Sequence, residues 1–238
     1  MRGPYGFELN ENCQSCKVRA SGFFCQLSPD ATKDFNAIRT SATYPAGAIL
    51  FLEKQEPRGL FVICGGEVKL SISSSAGKTL ILRLAKAGEV LGLMATMSGS
   101  PYEVTAETLH PCHVAFIRRD DFLQFVAKHT EAYQGVVKQL SSLYSGACAQ
   151  LRTVALSASA PEKLARLLLD WSAESKDAKQ GTPVKLPLTH EEIAEFIGTT
   201  RETVTRTLSD FKSRQLVALH GSTLLISNRS ALEAIGGA

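Results

Sequence analysis

The hydrophobic rhythm of the chain changes along its length. Across residues 43–117 the apolar residues come in short runs, at 49–52, 60–63, 68–72, 80–82, 90–93 and 114–117, with Gly47, Gly65, Gly66, Gly77, Gly88 and Gly99 between them. Runs of that length, punctuated by glycine, predict strands of a double-sheet jelly roll and not a βαβ fold. A short helix is expected ahead of them at about 29–39. From 120 to about 156 the chain lacks proline, and Val137, Leu140, Tyr144, Ala147, Leu151 and Val154 step alternately by three and four. That is the seam of a coiled coil, which predicts a dimer interface; packing of one helix on its own barrel is the other use of such a stripe. Gly146 and Ala147 thin the seam. A small polar stretch at 157–160 then reads as a hinge, and Pro161 fits the first turn of a helix over 162–172.

The clearest local signal is LTHEEIAEFIGTTRETVTRTLSDFKSRQ at 188–215. Thr189 followed by Glu192 is a capping box, so a helix starts near His190 and presents Ile193, Ala194 and Ile197 on one side. Gly198 ends it, and Thr199 and Thr200 stand where a second helix needs an N-cap. Val204, Leu208 and Phe211 recur at helical spacing in that second helix. This is a helix-turn-helix, with Ala194 small where the helices cross. If the second helix turns its apolar side inward, Arg201, Glu202, Thr205 and Arg206 share its outward side near the N-terminus, the end that enters a major groove. Arginine forks match guanine O6 and N7, and a carboxylate accepts from the cytosine amino group, so the set suits a half-site containing G·C pairs. Two apolar runs joined by His220, Gly221 and Ser222 follow and read as a hairpin wing, whose tip is placed to meet a phosphate.

RETVTRTL followed by a wing carrying LHG resembles the winged-helix domain of the cyclic AMP receptor protein and FNR family of bacterial transcription regulators, and the likeness extends over nearly the whole chain. The resemblance implies an α+β protein: an N-terminal cyclic-nucleotide-binding-like β jelly roll, a long dimerisation helix and a C-terminal winged helix-turn-helix. The corresponding boundaries are 1–28 for a cysteine-rich segment, 29–125 for the sensor, 126–157 for the dimerisation helix and 158–238 for the DNA-binding domain. It also implies a homodimer on a near-palindromic operator, with a half-site between TGTGA and TTGAT, and contact with RNA polymerase. In the nucleotide-binding relatives a glutamate after a glycine and an arginine–serine pair hold the ligand. Here those positions are Leu93 and Tyr102-Glu103. Glu103 would repel a phosphodiester, so cyclic AMP is not the expected effector.

Composition narrows the setting. In 238 residues, 44% are hydrophobic and 21% charged, enough for two modest soluble domains, and no run or N-terminal stretch suggests a membrane span or signal peptide. A cytoplasmic protein is expected. The net charge of +3 is uninformative, and from residue 156 onward ten basic residues meet ten acidic ones, so attraction to phosphate has to come from local placement. No nucleophile–base set or phosphate-cradling loop points to an enzyme.

The six cysteines are the remaining chemistry. In a reducing compartment, Cys13, Cys16 and Cys25, spaced C-x2-C-x8-C, read as metal ligands or redox thiols. A fourth ligand has to come from Cys64, Cys112 or Cys148, and the spacing alone leaves iron, zinc and a metal-free thiol switch open. The resemblance to oxygen-sensing FNR proteins implies Cys13, Cys16, Cys25 and Cys112 around a [4Fe–4S] cluster, and with it a regulator of oxygen or redox response. A regulator answering to a small molecule or zinc, and a metal-dependent enzyme, are the competing functions.

Overall fold

The computed structural model describes residue 5, residue 13, residue 22, residue 24 and residues 26–151, 159–173, 183–185, 188–220 and 223–237. Two compact units emerge, the first reaching Gly146 and the second taking in Ala147 onward together with Thr79–Ile81.

The first unit begins with helix α1 (Pro29–Ile38), capped by the Ser28 side chain with proline in its first turn. Eight strands follow: β1 (Arg39–Tyr44), β2 (Ile49–Phe51), β3 (Gly59–Gly65), β4 (Glu67–Ser73), β5 (Thr79–Lys86), β6 (Val90–Leu91), β7 (Thr105–Thr108) and β8 (Cys112–Arg118). They form two four-stranded sheets, ordered β1-β8-β3-β6 and β2-β7-β4-β5. The jelly-roll expectation is met, with two departures. Residues 90–93 are not one strand: Gly92 adopts φ 73° and helix α2 (Leu93–Ser98) starts there. Residues 105–108 supply a strand that their mixed Thr-Ala-Glu-Thr sequence conceals.

Side-chain alternation divides the first sheet between two cores. Phe61 and Ile63 of β3, with Cys112 and Val114 of β8, point between the sheets and meet Phe51, Val68, Leu70 and Ala106. Leu60 and Val62, with Ala115 and Ile117, point the other way into a core built with helices. Those helices are α1, α3 (Arg119–Lys128) and α4 (Thr130–Leu151). Phe24, Phe35, Phe122 and Phe125 fill this second core, Phe24 stacking on Phe35 with centroids 4.7 Å apart. Truncating one such ring costs about 3–5 kcal/mol, so this cluster anchors the N-terminal end of the unit to the helices.

The expected single helix over 120–156 is interrupted. His129 takes an extended conformation (φ −115°, ψ 97°) between α3 and α4. No proline causes the break; instead the His129 ring contacts Asp34 Oδ2 of α1 at 2.9 Å, and Lys128 Nζ donates to the same oxygen at 2.7 Å. Beside it, Ser28 Oγ donates to Glu131 Oε1 at 2.5 Å, tying the cap of α1 to the first turn of α4.

The second unit contains α5 (Ala160–Ala173), β9 (Pro183–Lys185), α6 (His190–Ile197), α7 (Arg201–Ser213), β10 (Val217–His220), β11 (Thr223–Ile226) and α8 (Arg229–Gly236). The three strands pair in the order β10-β11-β9, so the predicted hairpin wing is present and gains a third strand. Leu164, Leu168, Ile193, Val204, Leu208, Phe211 and Leu224 are buried in this unit. No helix among the described residues is long and apolar enough to cross a membrane.

Candidate DNA interface and sensor sites

The helix-turn-helix is built as its sequence dictates. Thr189 Oγ1 accepts from the Glu192 N–H while the Glu192 carboxylate accepts from the Thr189 N–H, the reciprocal capping box that starts α6. Gly198 closes α6 at φ 68°, a left-handed conformation natural to glycine. The Thr200 hydroxyl then caps α7 by accepting from the Thr203 N–H. Val204, Leu208 and Phe211 turn inward, and Ala194 is buried, as close crossing of two helices requires. Arg201, Glu202, Thr205 and Arg206 are left exposed together on the opposite side of α7.

Their electrostatics suit recognition. The Glu202 carboxylate sits over the N-terminus of α7, where its own N–H and then the Thr200 hydroxyl hold its pKa below the ordinary carboxylate value, so it stays an acceptor at neutral pH. Arg214 is drawn to Asp210 at 3.4 Å one turn back. In the wing, β10 and β11 pair from Val217↔Ile226 to His220↔Thr223, which puts His220 at the last pair before the tip. Gly221 lies outside the described residues. One contact was invisible to single-helix periodicity: His190 Nδ1 of α6 lies 3.0 Å from Thr205 Oγ1 of α7. Only the crossing of the two helices brings positions fifteen residues apart together.

In the barrel, Tyr102 is buried and stacks on Phe51 with centroids 4.1 Å apart. Its hydroxyl donates to the Gly59 carbonyl, its backbone N–H donates to Gln55 O at 2.9 Å, and its carbonyl accepts from Lys54 N at 2.8 Å. A Cβ on Gly92 would come within 2.6 Å of the Tyr102 ring. Glycine is therefore required at 92 both by its φ and by the tyrosine lying against it. Burial raises the Tyr102 pKa, so the ring stays neutral. Leu93, at the position of the relatives' glutamate, is buried in the helix-side core.

The cysteines divide. Cys13 packs, half-buried, against the helix-side core, to which Ala132, Val136 and Leu140 of α4 belong or pack. Cys64 packs against the same core, and its thiol contacts Val62 O at 3.7 Å. Cys112 is fully buried in the other core, between the sheets, and its thiol donates toward Glu67 O at 3.3 Å and His110 O at 3.2 Å. Burial raises its pKa, against thiolate formation. Gly66 passes so close that a Cβ there would meet Cys112 Sγ at 2.5 Å. Cys13 and Cys112 thus pack on different cores, Cys13 on the one built with the helices and Cys112 between the sheets. Cys16 and Cys25 lie outside the described residues, among which no group of three or more His, Cys, Asp or Glu is arranged to hold a metal.

Along α4, Val137, Tyr144 and Leu151 are exposed at 48%, 74% and 66%, and Ala147 is exposed with them, whereas Leu140 packs partly on the helix-side core. Tyr133, exposed at 52%, continues the stripe toward the start of the helix. Val154 lies outside the described residues.

A β sensor fold of the nucleotide-binding type, followed by a helix and a winged helix-turn-helix, defines an effector-domain transcription regulator. Residues 42–129 match the cyclic nucleotide-binding domain model and residues 162–235 the Crp-like helix-turn-helix domain model. The chain belongs to the CRP/FNR family of transcription regulators and is not an enzyme. It is 24% identical to a CRP-like cAMP-activated global transcriptional regulator of Mycobacterium tuberculosis, over 89% of this chain and 95% of the relative. It is likewise 24% identical to the nitrogen fixation regulation protein FixK of Bradyrhizobium diazoefficiens, over 95% of this chain and 94% of that protein. The structure of FixK2 from Bradyrhizobium japonicum superposes with a TM-score of 0.74 at 20% identity, covering 84% of this chain and 98% of that one.

Proposed function

We propose that the protein is a homodimeric, sequence-specific regulator that reads a near-palindromic operator with the exposed face of α7, and that its input is not a cyclic nucleotide. The observation that carries the DNA reading is the cluster of Arg201, Glu202, Thr205 and Arg206 on one face of a capped helix whose other face is buried. Arg206 and Arg201 supply guanine forks, Glu202 an acceptor for cytosine, and the wing around His220 and Gly221 contacts phosphate. The exposed stripe on α4, Val137, Tyr144, Ala147 and Leu151, pairs with its twin in a second copy, and Leu140 and Val154 complete the seam. That pairing sets two reading helices about one helical turn apart. RNA polymerase is the expected further partner.

Against a cyclic nucleotide stand Leu93 in place of an acidic ligand, Glu103 in place of a phosphate donor, and Tyr102 filling the space beside Gly92. The input is better sought at the N-terminus. Cys13 packs on the core that α4 shares, and the residues just past Cys25 are fastened to α4 through Ser28 and Glu131. Chemistry at Cys13 therefore has a short path to α4, the helix that carries the dimer seam. Oxygen or redox sensing at the N-terminal thiols is the reading this favours; Cys112 as a fourth ligand of a [4Fe–4S] cluster is not favoured by its burial.

The test is operator selection from a random DNA pool with protein purified without oxygen, followed by binding titrations with and without cyclic AMP, and before and after air. Iron, acid-labile sulfide and zinc are assayed on the same sample. Selection of a near-palindrome, affinity indifferent to cyclic AMP and responsive to air support the proposal. Tightening by cyclic AMP would overturn the input assigned here, and failure to select any motif would overturn the DNA reading.

A further inference from the structure

The contact between His190 and Thr205 assigns a role to a residue outside the reading helix. Thr205 projects from the face of α7 that carries Arg201, Glu202 and Arg206, and it is exposed. A free threonine hydroxyl is ambiguous in recognition: it donates to thymine O4 or guanine O6 and N7, and it accepts from the amino groups of adenine or cytosine. Here His190 Nδ1 stands 3.0 Å from Thr205 Oγ1. The neighbouring hydroxyls are already engaged in other ways. Thr203 and Thr200 pair with each other at 3.0 Å, and Thr207 donates to the Thr203 carbonyl at 2.8 Å.

Resting on the DNA reading above, we propose that His190 is a positioning residue for base recognition: its Nδ1 accepts the Thr205 hydroxyl hydrogen, which fixes the Thr205 rotamer and leaves lone pairs facing the groove. In the neutral imidazole one ring nitrogen is an acceptor and the other a donor, so an accepting Nδ1 leaves Nε2–H free. Thr205 is then an acceptor, matched to adenine N6 or cytosine N4, and no longer an indifferent contact. The α6 residue consequently helps choose a base that it does not touch. The backbone at His190 does not depend on this bond, because the capping box of Thr189 and Glu192 starts α6 independently.

The experiment measures binding of every single-base variant of the selected operator half-site by wild-type protein, His190→Ala, Thr205→Val and the double variant, with melting curves to verify folding. One base pair per half-site should show preference for adenine or cytosine on one strand. His190→Ala should reduce that preference about 3- to 10-fold, as expected for one hydrogen bond, and leave the guanine read by Arg206 unchanged. Thr205→Val should lose at least as much, and the double variant no more than Thr205→Val alone, since the two act through one contact. Equal weakening on all sequences by His190→Ala would mean that it meets only phosphate, and additive losses would mean that it acts without Thr205; either overturns the inference. Absence of any sequence preference in the wild type would instead overturn the DNA reading on which it rests.

Discussion

At the scale of single residues, position within an alternating strand decides what a side chain is able to do. Cys112 opens an apolar strand, and nothing local in the sequence distinguishes a thiol directed toward a metal from one directed into a core. In the structure it alternates with Val114 toward the inter-sheet core. Replacing Cys112 by serine is expected to cost only about 1 kcal/mol, since the carbonyls of Glu67 and His110 that accept from the thiol remain to accept from the hydroxyl. Denaturant unfolding measures that cost, and the iron, sulfide and zinc content of the variant should match the parent. On α7, Arg206→Ala should cost about 1–3 kcal/mol of discrimination at one guanine per half-site, read by competition between matched and mismatched operators.

At the scale of elements, the capped pieces were legible and the tertiary interruptions were not. Thr189, Glu192, Gly198 and Thr200 announce two helices and the turn between them because each acts through its own neighbours in sequence. The break at His129 escapes notice because its partner, Asp34, belongs to α1. The run at 90–93 misleads because a short apolar stretch does not reveal its period, and only the left-handed Gly92 turns it into a helix start. The junction at His129 has a pH dependence of definite sign. Hydrogen bonds first from Lys128 and then from His129 lower the Asp34 pKa below its ordinary 3.8. The ionised form therefore favours the fold; its contribution is complete above that value and is lost as pH falls through the lower folded value. Asp34→Asn should flatten the acid limb of the stability profile below about pH 4 and leave the neutral region shifted but parallel. The seam on α4 is tested by Tyr144→Asp. The site is exposed in the single chain, so unfolding should change by less than about 0.5 kcal/mol, while paired like charges in a seam should shift sedimentation toward monomer.

At the scale of the molecule, the jelly roll, the helix and the winged domain were readable from rhythm, caps and turn residues, while the input was not. Periodicity reports which side of an element is apolar; it does not report which core that side joins, and Cys13 and Cys112 join different ones. Balanced charge in the C-terminal part leaves specificity to geometry. Insertion of five base pairs between selected half-sites turns one away from the other by about half a helical turn, and affinity is expected to drop to that of a single half-site in the same titration.

The tyrosine inside the barrel carries a further consequence. A diffusing effector reports its own abundance because its site is empty when the effector is scarce. Tyr102 is joined to the chain, stacked on Phe51 and bonded to Gly59, so it never leaves in that sense. Any visitor to that space competes with a resident whose local supply does not vary. Under the input proposed above, a domain filled in this way has exchanged a meter for a fixed part, and what varies in the cell is registered somewhere else on the chain.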